Sequence, residues 1–156
     1  MPLDGSGKPE AVTGSVPNVL FGGAGAISPD GKTLACLADF LNQKTQEAQT
    51  KIALLNLESS TALRTLDVSG QLGGLSGIPW AGVEFTPDGK AVAHIIRENG
   101  VDNIWVQPLD GSVGHRITNF TSEQIESFHW SPDGKKLGIL RGHSESDVVL
   151  LQESQQ

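Results

Sequence analysis

The chain of 156 residues holds one cysteine, no tyrosine and only five phenylalanines and three tryptophans. With Cys36 alone, no intrachain disulfide forms. Cys36 stands in the apolar run Leu34-Ala35-Cys36-Leu37-Ala38 and reads as a small buried hydrophobe rather than a nucleophile, because nothing nearby would stabilise a thiolate. Basic residues are also scarce. Eleven Lys and Arg face eighteen Asp and Glu, for a formal charge of −7, and no Lys/Arg cluster occurs. Nucleic acid and anionic membrane surfaces both need a basic face, so neither is expected as a partner. Long apolar runs are missing: the stretch 19–27 is short and interrupted by glycines, and no signal-peptide pattern opens the chain.

Catalytic signatures are missing too. There is no Gly-x-Ser-x-Gly elbow. His94, His115, His129 and His143 do not stand at metal-ligand spacing with each other or with Cys36, so no metal and no cofactor is expected. His94 and His129 alternate with apolar neighbours and read as packed or surface histidines, whereas His143, in a loop, is a binding candidate. The glycine-rich run 22–26 leads into Ser28-Pro29-Asp30-Gly31 and not into a helix carrying Lys-Ser/Thr, so it is no phosphate loop. Its glycines instead let strands approach the axis of a ring.

What the chain does have is turn chemistry, with nineteen glycines and eight prolines, and a repeat. Ser28-Pro29-Asp30-Gly31-Lys32 recurs as Thr86-Pro87-Asp88-Gly89-Lys90 and as Ser131-Pro132-Asp133-Gly134-Lys135, at spacings of 58 and 45 residues. Proline presets φ at the second turn position, aspartate accepts from nearby backbone amides, and glycine takes the positive φ. Asp30, Gly31, Asp88, Gly89, Asp133 and Gly134 are therefore structural. A large apolar residue precedes each turn (Ile27, Phe85, Trp130), and apolar runs follow it at 34–38, 91–96 and 137–140, then at 52–57, 104–109 and 148–151. Fourth strands are expected near 62–68 and 115–118. Four short strands on a period of about 45 residues describe a β-propeller blade.

The expected fold is thus all-β: about three four-stranded blades of a β-propeller. Residues 19–68 form blade one, 76–118 blade two, and 125–151 a third blade lacking its fourth strand. Pro2-Leu3-Asp4-Gly5-Ser6 matches Pro108-Leu109-Asp110-Gly111-Ser112, so 1–14 read as the fourth strand of a preceding or partner blade. Three blades do not close a ring, since rings hold about four to eight. Either the chain is part of a longer protein, or two copies pair into a six-bladed homodimer in which 9–13 complete the partner's last blade.

The Ser/Thr-Pro-Asp-Gly-Lys turn, followed by Asn103-Ile104-Trp105-Val106 and Pro108-Leu109-Asp110-Gly111, resembles the TolB-type, WD-repeat-like propeller repeat over nearly the whole chain. The ending from Trp130 to Leu151 resembles the last blade of C-terminal propellers in bacterial eukaryotic-like serine/threonine kinases and regulators. That resemblance implies a non-catalytic sensor or interaction module and favours a periplasmic or extracytoplasmic place. Nothing here resembles the kinase part. Two alternatives stay open: the substrate-filtering propeller of a prolyl-oligopeptidase-type peptidase, and a small-ligand or cation site in the channel. Loops at 39–51, 69–80 and 98–102 are the expected binding surface for a protein or peptide, with Trp80, Asn42, Gln43, Lys44, Glu98, Asn99 and His143 as candidates. Trp80 is the expected exposed aromatic; Trp105 and Trp130 are expected between blades. The segment 42–49 is expected as a mobile loop or one helical turn.

Overall fold

The computed structural model describes residues 19–58, 63–73 and 82–143. The expected terminal strands at 1–14 and 148–151, and Trp80, lie outside the described residues. Within them every regular element is a β-strand. The first sheet is an antiparallel meander of β1 (Val19–Ile27), β2 (Thr33–Leu41), β3 (Ala48–Asn56) and β4 (Leu63–Asp67). The second has β7 (Ala91–Glu98), β8 (Val101–Pro108) and β9 (His115–Arg116) in sequence, with β5 (Gln71–Leu72) and β6 (Glu84–Phe85) both pairing with β7. The third is β10 (Gln124–Trp130) with β11 (Leu137–Gly142).

The repeated turns fold alike. Ser28 Oγ donates to Asp30 Oδ1 at 2.6 Å, the Lys32 amide donates to the same oxygen at 3.1 Å, and the Thr33 amide donates back to Ser28 Oγ at 2.9 Å. Thr86 with Asp88, and Ser131 with Asp133, repeat the pattern. The hydroxyl bond, then the amide bond, hold each of these three carboxyls below its usual value. Their work is to shape turns.

Alternation along the strands makes two seams. One face of β2 and β3 (Ala35, Leu37, Ile52, Leu54) packs with Leu66 of β4 against Val83, Phe85 and Val92 of the second sheet. The opposite face of that sheet (Ala91, Ala93, Ile95, Ile104, Val106) packs against Ile125 and Phe128 of the third. Each buried large aliphatic contributes about 1.5–3 kcal/mol, so the seams hold the blades in order. Cys36 is buried on the far face of the first sheet, and burial pushes its thiol pKa up.

The turn glycines also work between blades. Gly134 has φ +69°, and a Cβ there would lie 2.6 Å from Pro87 Cβ; at Gly89, with the same φ, a Cβ would only touch Pro29 Cδ at 3.4 Å. Gly89→Ala is therefore expected to cost about 1–2 kcal/mol, the left-handed backbone alone. Gly134→Ala should cost at least about 1 kcal/mol more, because the seam must open. Urea unfolding of the two variants checks this, and equal midpoints would refute the seam contribution.

Three expectations about extent are corrected. The loop placed at 39–51 is only 42–47, because Asp39, Phe40 and Leu41 pair with Thr50, Gln49 and Ala48. Within it the Gln46 amide donates to Asn42 O, a single α-turn that does not continue into a helix. The loop placed at 98–102 is the two-residue turn Asn99-Gly100, both with positive φ (50° and 80°), since Glu98 pairs with Val101. The second sheet begins at Gln71 rather than 76, because Gln71 and Leu72 pair with Arg97 and Ile96. Glu84 and Phe85 pair with Ala93 and Val92 of the same strand, so part of what reads as a connection between blades lies on the edge of the second sheet.

Candidate functional site

The strand-two to strand-three connections, 42–47 and 99–100, and His143 at the end of β11, lie at the same end of their respective sheets. The first is built most elaborately. Asn42 Oδ1 accepts from the Lys44 amide at 3.0 Å and the Thr45 amide at 3.4 Å. The Asn42 amide donates to Glu47 O and the Gln46 amide to Asn42 O. Gln46, at φ 59°, donates from Nε2 to Gln43 O at 2.9 Å. The carboxamide of Asn42 thus orders the tip, while the side chains of Gln43, Lys44 and Glu47 stand at the surface.

At the base of this tip, Phe40, Leu41, Asn42, Glu47, Ala48 and Gln49 line an open groove of about 680 Å³. Leu41 is 40% exposed. Of the candidates singled out from sequence at this place, Asn42 lines the groove while Gln43 and Lys44 stand beside it; Phe40, Leu41, Glu47, Ala48 and Gln49 lie within the expected surface at 39–51 without having been singled out. The available signal was the continuation of the apolar β2 run into Phe40-Leu41, beyond the first sheet's buried centre.

The other candidates have structural roles or lie at the surface. Glu98 Oε2 accepts from Arg116 Nη1 at 3.0 Å, and Asn99 serves the turn. His143 is exposed. Trp105 and Trp130 are half-buried, and Trp105 Nε1 donates to Gln107 Oε1 at 3.4 Å.

Two polar features lay outside the sequence reading. Asp102, fully buried, accepts from Arg97 Nε (2.7 Å) and Nη2 (3.0 Å) and from the Ile125 amide (3.0 Å), joining the second and third sheets. A Cβ on Gly73 would lie 2.6 Å from Asp102 Oδ1, so the chain entering the break in the second sheet is pressed against the same carboxylate. Glu84 Oε1 and His129 Nδ1, on the edge strands of neighbouring sheets, lie 2.8 Å apart. Among the described residues no three His, Cys, Asp or Glu gather as metal ligands.

His94 is fully buried on β7, on the same face as Val92, which packs against the first sheet. Neither ring nitrogen meets hydrogen-bond geometry. Burial lowers its pKa to about 4, opposed weakly by the Ser69 backbone. It is a packed histidine, as its alternation suggests.

No protein-family profile matches the chain. The dipeptidyl aminopeptidase BIII of Pseudoxanthomonas mexicana is 36% identical over 62 residues, 39% of this chain and 9% of that protein. Among solved structures, TolB from Acinetobacter baumannii superposes with a TM-score of 0.59 at 22% identity, covering 81% of this chain and 28% of that one. A protein assigned as TolB from Agrobacterium tumefaciens gives 0.61 at 21%, covering 90% and 44%. The β-propeller domain of the Trilobed protease from Pyrococcus furiosus gives 0.52 at 21%, covering 79% and 34%. The chain spans less than half the length of each of these proteins. With its seamed antiparallel sheets and recurring turns, the chain has a β-propeller architecture, similar in fold to the TolB structures.

Proposed function

We propose that the chain is a non-catalytic propeller module that holds a protein or peptide partner at the tip of the β2–β3 hairpin. The observation that carries this reading is the open groove at that tip, lined by the apolar Phe40, Leu41 and Ala48 together with the polar Asn42, Glu47 and Gln49. An apolar anchor ringed by polar groups suits a short peptide segment. Peptides selected from a displayed library against the immobilised protein are expected to lose at least about tenfold in affinity on Leu41→Glu, the worth of one apolar anchor. Val113→Glu, at a 91% exposed residue in a turn at the other end of the second sheet, should leave binding unchanged. Equal binding by Leu41→Glu and wild type would remove the groove from consideration.

The wider setting, as the sensing end of a bacterial signalling protein outside the cytoplasm, follows from the sequence resemblance. A second reading is favoured by the 62-residue similarity to a dipeptidyl aminopeptidase. The ring would then filter peptides for a hydrolase domain and contribute no nucleophile. A reading frame continuing into a serine-hydrolase half would select it.

A further inference from the structure

Asn99 is the one asparagine in the sequence that a glycine follows; larger residues follow all the others. An Asn-Gly pair can react with itself, because the next backbone nitrogen lies one small ring away from the side-chain carbonyl carbon and glycine puts no side chain in the way. Whether it does so depends on what already holds the two groups. Asn42 Oδ1 accepts two backbone amides, Asn56 Oδ1 accepts the Glu58 amide, and Asn103 Oδ1 accepts the Thr118 hydroxyl and the Phe120 amide. The Asn99 carboxamide has no such partner among the described residues, and Asn99 and Gly100 are both exposed.

The glycine nitrogen is set apart in the same way. Four Asp-Gly pairs occupy described turns, and in each the glycine amide donates back across the turn: Gly31 to Ser28 O, Gly89 to Thr86 O, Gly111 to Pro108 O and Gly134 to Ser131 O. Hydroxyl and amide donors also keep those four aspartates ionised, and a carboxylate resists attack by a nucleophile. Gly100 donates to no backbone carbonyl, since its turn is closed by the pairing of Glu98 with Val101. A Cβ placed on Gly100 would meet nothing within 4 Å, so space surrounds it. Rotation about Asn99 that brings nitrogen and carbonyl carbon together therefore breaks no hydrogen bond of either group.

We infer that Asn99 is a site of spontaneous covalent modification, deamidated by the Gly100 backbone nitrogen, and that one product loosens the join between the second and third sheets. The nitrogen gives up its proton and bonds to Asn99 Cγ. The Cγ–Nδ2 bond breaks, Nδ2 leaves as ammonia with a proton returned through water, and a cyclic imide remains. Water then adds to either imide carbonyl. Opening at Cγ gives aspartate with the main chain unchanged, and the turn accepts Asp-Gly as well as Asn-Gly. Opening at the main-chain carbonyl gives isoaspartate, whose backbone runs through Cγ and carries an extra methylene. The register that sets Arg97 opposite Asp102 across this short turn then no longer closes. Asp102 holds both Arg97 and the Ile125 amide of the third sheet, so the strain falls on that join. The site is separate from the β2–β3 groove, and the inference stands independently of peptide binding.

Ageing the folded whole chain at mildly alkaline pH in heavy-oxygen water, followed by digestion and mass spectrometry, tests this. Amide loss with uptake of label is expected at Asn99 at least roughly tenfold faster than at Asn42, Asn56 or Asn103, a barrier difference of about 1.4 kcal/mol. Isoaspartate should be detected there by methyltransferase labelling. The isoaspartyl fraction should unfold at lower urea than fresh wild type. Fresh Asn99→Asp should unfold with wild type, and Asn99→Ser, aged in parallel, should form no weakened fraction; either variant serves as control should the other fail to fold. Amide loss at Asn99 no faster than at the other asparagines would overturn the inference. An isoaspartyl fraction with the wild-type midpoint would overturn the link to Asp102. A lowered midpoint for fresh Asn99→Asp would trace the loss to charge rather than to the lengthened backbone, and overturns that link equally.

Discussion

Asp102→Ala is expected to lower the unfolding free energy by about 3–5 kcal/mol, the cost of removing one partner from a buried ion pair and stranding the other. A domain of this size has about 5–15 kcal/mol in total, so the variant should unfold at far lower urea. The carboxylate serves three clients at once. It balances the Arg97 guanidinium across the Asn99-Gly100 turn, accepts the Ile125 amide from the third sheet, and backs Gly73 where the chain leaves the edge of the second. The Asp102 amide in turn donates to Glu123 O. Asp102→Asn keeps the shape but loses the charge, and should fall between the two. Urea denaturation curves for the three proteins decide the matter. A midpoint for Asp102→Ala within error of wild type would show that the bonds are incidental to the seam.

The second large effect is on pH. His94 binds its proton at about pH 4 when folded, against an ordinary value of 6.5. Between those values the unfolded chain takes up a proton that the folded chain refuses. Stability is therefore level above about pH 7, falls as pH drops through 6.5 toward 4, and levels off again below that, with a total loss from this one group of about 3 kcal/mol. The turn aspartates do not share this window. Their depressed values make their contributions disappear only below about pH 4. His94→Leu should abolish the slope between pH 4 and 6.5 and leave the protein more stable than wild type at pH 5. Thermal melts of both proteins across that range provide the check. Parallel curves would show that His94 finds a proton acceptor or water on acidification.

Much of the local structure was legible in the residues. The repeated turn identifies itself because each position has its own reason: proline fixes φ, glycine takes the positive φ, and the hydroxyl, the carboxylate and the amides of residues 32 and 33 close a set of bonds over six residues. The apolar run 34–38 was read as a strand, and in the structure its alternate residues divide between two faces, Ala35 and Leu37 on one and Leu34, Cys36 and Ala38 on the other. Even the Arg97–Asp102 pair had a signal, since an Asn-Gly two-residue turn places residues 97 and 102 directly opposite. What failed was the reading of polar and glycine-rich stretches as loops. Thr50 and Gln49 look like loop residues, yet they sit in β3 because Asp39 and Phe40 offer them a ladder, with Thr50 Oγ1 donating to Asp39 Oδ1 at 2.5 Å. The glycine-rich stretch near 70–73 looks like a connector, yet Gln71 and Leu72 pair with β7.

By itself the sequence determined the all-β class, the blade period, the turn geometry and the buried character of Cys36, because those depend on interactions within a few residues or on strand alternation. Only the tertiary structure decided where the blades press on one another: that Asp102 is shared by two sheets, that His94 falls in a closed seam while Leu140 and Ile27 stand open, and that Gly134 needs to be glycine twice over. Those outcomes depend on residues dozens of positions apart arriving at van der Waals distance. Equivalent positions in a repeat carry the same local signal whether or not a neighbour covers them, so burial is set by the stacking of sheets and not by the pattern within any one of them.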